Sequence, residues 1–104
     1  MLIINSVKVG DGITKCLWSD RHAYTVIKIS ASGKKLTIQR DNVKRITEPK
    51  FIEGGFMGIC INNNDIEYEY SPNPGGNIEH VYATRDGKFK NMISGRHEKY
   101  DYNF

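Results

Sequence analysis

The chain has 104 residues, of which 38% are hydrophobic and 26% charged, and its net charge is +3. This length suits a single domain, residues 1–104, with one core, and the aromatic content argues against disorder. No apolar run approaches the ~20 residues of a membrane span, so we expect no membrane partner. Cys16 and Cys60 lack the spacing of a zinc site or a disulfide framework, so we expect reduced thiols, no metal and no cofactor.

Charge is divided unequally along the chain. Residues 1–52 carry ten Lys or Arg against four Asp or Glu, a net +6, and residues 53–104 carry five against eight, a net −3. Opposite signs within one domain predict ion pairs between the halves or between subunits. The basic first half also favours a phosphate-bearing ligand, although its bias is weaker than that of duplex DNA-binding proteins.

Alternating polarity and β-branched residues predict an all-β fold. In chain order, the segments that carry this pattern are residues 2–9, 13–18, 23–29, 35–40, 65–70, 78–84 and 89–93. The segments with turn composition are residues 10–12, 31–34, 41–50, 71–76 and 85–88. We predict a small SH3-like or bent-sheet barrel of about six or seven strands, with a β-rich α+β fold as the alternative.

The first cluster of chemically versatile side chains precedes and opens the clearest predicted strand. It contains Trp18, Arg21, His22 and Tyr24. Bases stack on indole, imidazole and guanidinium planes, and phosphates accept paired hydrogen bonds from Arg, so these residue types suit a nucleotide. The alternative is that Trp18 and Tyr24 belong to the core and that Arg21 lies in a solvated turn.

A second cluster is the glycine-rich segment 54–58. Consecutive backbone N–H groups at Gly54, Gly55 and Phe56 can form an anion-binding nest. The segment lacks the Lys and Ser/Thr of a P-loop, and a β-bulge or tight connection explains the glycines equally well.

The third cluster lies near the C-terminus, where Arg96 and His97 could together hold a phosphate. Aromatic residues at every second position from 100 to 104 indicate a last strand or an arm that docks on a neighbour. His22, His80 and His97, with several carboxylates, could also supply an acid–base pair, and a nuclease or phosphodiesterase would use His22 or His97. Because no catalytic motif accompanies them, we predict that the protein is not an enzyme.

Four segments together resemble a family of small proteins encoded by bacteriophages and prophages. These segments are residues 18–26, 39–41, 54–58 and 95–104, and the resemblance covers nearly the whole chain. In that pattern the glycine segment often ends Gly-His-Cys, whereas here Ile59 replaces the histidine, so no ligand role is carried over to it.

The chain is also similar to phage counter-defence proteins, the anti-CBASS sponges. That resemblance implies sequestration, without cleavage, of a cyclic dinucleotide such as cyclic GMP–AMP, by a homodimer or homotetramer in the host bacterial cytoplasm. Arg21, Arg40 and Arg96 would meet the phosphates. Trp18, His22, Tyr24 or His97 would contact the bases. The alternatives are an inhibitor that binds a host enzyme through its C-terminal arm, and a single-stranded nucleic-acid-binding module.

Overall fold

The computed structural model describes residues 2–17, 19–52, 59–60 and 66–100, and of residues 51–52 and 59–60 it gives only the course of the backbone. All regular structure in these residues is β, which confirms the predicted all-β class. The strands are β1 (Leu2–Ile3), β2 (Gly12–Cys16), β3 (Arg21–Ile29), β4 (Lys35–Arg40), β5 (Asn42–Arg45), β6 (Phe51–Ile52), β7 (Ile59–Cys60), β8 (Tyr68–Ser71), β9 (Ile78–Tyr82), β10 (Lys88–Phe89) and β11 (Met92–Ser94).

Five strands form one antiparallel sheet in the order β11-β2-β3-β4-β9. Three two-stranded ribbons, β1-β10, β5-β8 and β6-β7, complete the paired structure of the described residues. The five-stranded sheet is open, with β11 and β9 at its edges, so the predicted barrel is not closed in this part of the chain. The Asp41 amide still donates to the Ala23 carbonyl at 3.2 Å, and the chain then pairs as β5 with β8.

The core lies against one face of this sheet. Cross-strand register places Ile13 beside Tyr24 and Val26 beside Ile38, and all four side chains are buried. Residues that alternate along a strand share a face, and we call the face with these four side chains the core face. It is covered by residues of the ribbon β1-β10 and of the edge strand β11, namely Leu2, Phe89 and Met92. The burial of each of these side chains stabilises the folded state by about 1.5–3 kcal/mol.

The opposite face carries Thr14 and Thr25, and we call it the strap face. Thr14 is fully buried although it is polar, so another part of the chain must cover it and satisfy its hydroxyl. That part is the segment after β11.

Candidate ligand-binding cleft

Residues 95–99, which we call the C-terminal strap, fold back across the strap face and then along β3. The buried Thr14 hydroxyl donates to the Gly95 carbonyl at 2.7 Å. Farther on, Arg21 and Lys99 exchange backbone hydrogen bonds of 2.8 and 2.9 Å. The strap therefore takes over as the neighbour of β3 where β4 has ended.

Glu98 is the best-connected side chain of the strap, and only 8% of it is exposed. Its Oε1 accepts hydrogen bonds of 2.8 Å from the Ala23 amide and from Nη1 of Arg40, and its Oε2 accepts one of 2.8 Å from Nη2. The Glu98 amide itself donates to the Tyr70 hydroxyl at 2.8 Å. The carboxylate therefore fills the position that a further β4 residue would have taken, and it neutralises Arg40.

The terminal N–H groups of Arg40 contact other residues of the protein. Besides the two bonds to Glu98, Nη1 donates to the Ala23 carbonyl at 2.9 Å and Nη2 lies 3.0 Å from Nδ1 of His22. Nδ1 of His22 also lies 3.3 Å from Oε2 of Glu98, so it accepts from Arg40 when it is bare and donates to Glu98 when it carries a proton. The terminal nitrogens of the guanidinium thus face Glu98, Ala23 and His22, and its plane and its Nε–H are left for a ligand.

A cleft of about 580 Å³ opens at the polar end of the core face, and seven residues from β2, β3, β4 and the start of β9 line it. They are Lys15, His22, Tyr24, Arg40, Asn77, Ile78 and Glu79. The sheet register explains the convergence, since Lys15 pairs with His22 and Tyr24 pairs with Arg40. A volume of roughly 300–1,000 Å³ is typical of small-molecule sites.

Glu79 links two other residues that line the cleft. It accepts a hydrogen bond of 2.7 Å from Nζ of Lys15 and another from the Tyr24 hydroxyl. The bonds from Lys15 and Tyr24 lower the pKa of the Glu79 carboxyl. Burial, together with the Glu79 carboxylate, raises the pKa of Tyr24 to about 12. At neutral pH the cleft therefore holds an ionised carboxylate beside a neutral phenol.

The ion pairs of the cleft confirm the pairing predicted from the unequal charge of the two halves. Lys15 and Arg40 belong to the basic half, and their partners Glu79 and Glu98 belong to the acidic half. Each cation has its own carboxylate, so the cleft has little net charge.

Three of the predicted site residues, His22, Tyr24 and Arg40, meet in this cleft. Arg96 lies on the strap face instead, where its Nε donates to Oδ2 of Asp41 at 2.8 Å and its Nη2 donates to Thr25 at 2.8 Å. The Asp41 side chain is 1% exposed, so the guanidinium of Arg96 compensates a buried charge. We therefore assign Arg96 to the support of the sheet and not to the cleft.

The remaining predicted residues lie elsewhere. Arg21 and His97 are exposed, and the His97 amide donates to the Thr14 hydroxyl at 2.8 Å. Four predictions fall outside the described residues, at Trp18, Gly54, Gly55 and Phe56.

Four residues of the cleft escaped the sequence analysis, and they are Lys15, Asn77, Ile78 and Glu79. Alternation along β2 puts Lys15 on the same face as Ile13, a local signal that could have identified it. The others enter the cleft only because β9 pairs with β4, which no local pattern reveals.

The models of known protein families, the curated proteins and the solved structures gave no match to this chain. Among the described residues, no three His, Cys, Asp or Glu side chains are grouped as metal ligands would be. That same part of the chain contains no helix long and apolar enough to cross a membrane.

Proposed function

We propose that the protein binds a nucleotide in this cleft and holds it without cleaving it, as a phage counter-defence protein that sequesters a cyclic dinucleotide signal. The observation that carries the proposal is the convergence of His22, Tyr24 and Arg40 on one open cleft. His22 and Tyr24 belong to one cluster of the sequence and Arg40 lies in a separate segment, and all three are residue types that suit a nucleotide.

The cleft presents more groups that can contact a base than groups that can bind a phosphate. The guanidinium carbon of Arg40 lies 5.8 Å from the centre of the Tyr24 ring, so a cationic plane and an aromatic ring stand side by side with the His22 imidazole. Tyr24 is only 7% exposed, so the planes left for a base are those of Arg40 and His22, and such planes stack with bases by about 1–3 kcal/mol each. Asn77 and Glu79 supply hydrogen-bonding groups at the rim, and a carboxylate suits the N–H-rich edge of guanine.

Phosphate recognition depends mainly on Lys15. Its ammonium group is about one-third exposed and is held by Glu79, whereas the terminal N–H groups of Arg40 are occupied. A ligand phosphate can share Lys15 with Glu79 because an ammonium has three donors. We therefore expect affinity to fall only modestly with salt, unlike that of a single-stranded nucleic-acid binder.

The acid–base character of the cleft supports binding rather than turnover. The pKa of Tyr24, raised to about 12, keeps its hydroxyl protonated at neutral pH, and the hydroxyl donates to Glu79. The lowered pKa of Glu79 makes this carboxylate a weak general base. Nδ1 of His22 is engaged by Arg40 and Glu98.

A thermal-shift screen tests the proposal. The purified protein is heated with cyclic di- and trinucleotides, linear nucleotides and NAD derivatives, and the ligand recovered from any hit is analysed by chromatography. A ligand at about a hundredfold its Kd adds about 2.7 kcal/mol, which is several degrees for a domain of this size.

Two lysine variants test whether a nucleotide that raises the Tm binds in the cleft. Lys15→Met should abolish the shift, and Lys28→Met, a matched change at an exposed position of the same sheet, should preserve it. Recovery of a chemically altered ligand would show that the protein is an enzyme. The proposal fails if no nucleotide raises the Tm, and a host-protein target would then be sought by pull-down.

A further inference from the structure

The outer edge of β9 has no paired strand among the residues that the structure describes. Asn77 and Ala83 make backbone hydrogen bonds towards β4, with Asn77 accepting from Arg40 and Ala83 donating to Lys34. Successive residues of an antiparallel strand direct their N–H and C=O groups to opposite edges. Residues 78, 80 and 82 therefore direct theirs away from the sheet, and within the described chain nothing pairs with them.

The side chains of this edge are apolar at both ends. Ile78 is 55% exposed and Tyr82 is 66% exposed, and both lie on the strap face with His80 between them. Monomeric proteins usually protect such an edge with Lys, Pro or an inward-pointing charge. The single charged residue of β9, Glu79, is neutralised by Lys15, so the edge carries no repulsive group.

We propose that β9 is a homodimer interface, in which β9 of one copy pairs antiparallel with β9 of a second copy about a two-fold axis at His80. In this register, Ile78 of each copy lies opposite Tyr82 of the other. An aromatic residue opposite a β-branched residue is a favourable cross-strand pair. Residues 78, 80 and 82 of both copies also bring their outward N–H and C=O groups into hydrogen-bonding positions.

The pattern of β9 favours a second copy over a different partner. The outward residues of β9 are Ile78 and Tyr82 at its ends and His80 at its centre, so the strand is complementary to itself when it is reversed. A two-fold axis between antiparallel strands is perpendicular to the sheet, so the sheets join into one of ten strands and both clefts open on the same side. Five residues a side are far fewer than the roughly 20 of a standard interface, so we expect micromolar or weaker association.

Sedimentation over a concentration series without ligand, from about 1 µM to about 1 mM, tests the dimer. The wild-type mass should rise towards twice that of the monomer. Tyr82→Glu should remain monomeric, because it places a carboxylate opposite Ile78 of the other copy. Its fold should be kept, since Lys35, whose Nζ lies 5.7 Å from the centre of the Tyr82 ring, can pair with the new carboxylate. Val9→Glu is the matched control at a residue 63% exposed, and it should dimerise like the wild type.

Cysteine cross-linking tests the register. In a chain with Cys16→Ser and Cys60→Ser, His80→Cys should form a disulfide dimer on mild oxidation, because Cα atoms at such a position lie about 5.5 Å apart. Ile78→Cys should not, because it faces Tyr82 of the other copy and not itself.

Three results would overturn the inference: a wild type that stays monomeric, equal behaviour of Tyr82→Glu and Val9→Glu, or faster cross-linking of Ile78→Cys than of His80→Cys. A monomeric wild type would assign the edge to a different partner protein. Since no ligand is present in these experiments, their failure leaves the proposed function untouched.

Discussion

Removal of the charge of Glu98 should loosen the C-terminal strap and destabilise the whole domain. Glu98→Gln loses the ion pair with Arg40 and turns an amide NH₂ group towards an N–H group of Arg40, which can only donate. Loss of one partner of a buried ion pair costs about 3–5 kcal/mol. The Arg40 side chain is 25% exposed, and solvent screens part of this charge, so we expect about 2–3 kcal/mol. At about 4–8 °C per kcal/mol, the Tm should fall by roughly 10–20 °C.

Thermal unfolding followed by circular dichroism measures this loss, with Glu48→Gln as the control. Glu48 pairs with Arg45 at 3.2 Å, but its side chain is 84% exposed, so its ion pair should contribute no more than about 0.5 kcal/mol. If the two variants unfold within a degree or two of each other, the reasoning about Glu98 is wrong, and the strap is held by its backbone bonds alone.

Two further predictions concern the cleft and its rim. Lys15 and the phenol beside it lower the pKa of Glu79 below its usual value of 4.5, so the stability it contributes is present above that value and disappears as the pH falls through the lower folded pKa. The Tm difference between the wild type and Glu79→Gln should accordingly be clear at about pH 7 and should disappear as the pH falls below the usual carboxyl pKa of 4.5. A Cβ on Gly76 would lie 2.2 Å from the Arg40 carbonyl oxygen, whereas one on Gly75 would meet nothing nearer than 3.7 Å; Gly76→Ala should therefore lower the stability to urea by about 1–3 kcal/mol, and equal midpoints for Gly76→Ala and Gly75→Ala would contradict this.

The centre of the fold could be predicted from the sequence because its signals are local. Alternation and β-branched residues located β2, β3 and β4 to within two residues, and Gly33, with a φ of 75°, occupies the predicted turn between β3 and β4. The predicted strand over residues 89–93 is instead divided into β10 and β11, because Asn91 adopts a φ of 62°. Asparagine tolerates this left-handed conformation, but the presence of an asparagine at position 91 does not by itself predict it.

The prediction of a polar turn over residues 41–50 was wrong where β5 lies. Asn42–Arg45 has a single apolar residue and no strand pattern of its own. It is a strand because it pairs with β8, from Asn42 opposite Ser71 to Arg45 opposite Tyr68. Pairing across more than twenty residues leaves no mark in a short sequence window, so this strand could not be found locally.

The candidate cleft was predictable in part for the same reason. Tyr24 lies on the strand predicted over residues 23–29, and His22 shares its face because β3 begins two residues earlier, at Arg21. Glu79 joins them only through the pairing of β9 with β4. The chemistry of a side chain can thus be inferred from the sequence, whereas its neighbours depend on long-range register.

The arginines show why residue type alone could not identify the site. A guanidinium fork fits a carboxylate as well as it fits a phosphate, and this chain carries its own carboxylates. Arg96 is bound to Asp41 on one face of the sheet and Arg40 to Glu98 at the end of the other. Both pairs join distant parts of the chain, so each arginine stabilises the fold first. What remains to a ligand is the plane of Arg40, held in place by Glu98 beside the rings of the cleft, which favours recognition of a base over capture of a bare phosphate.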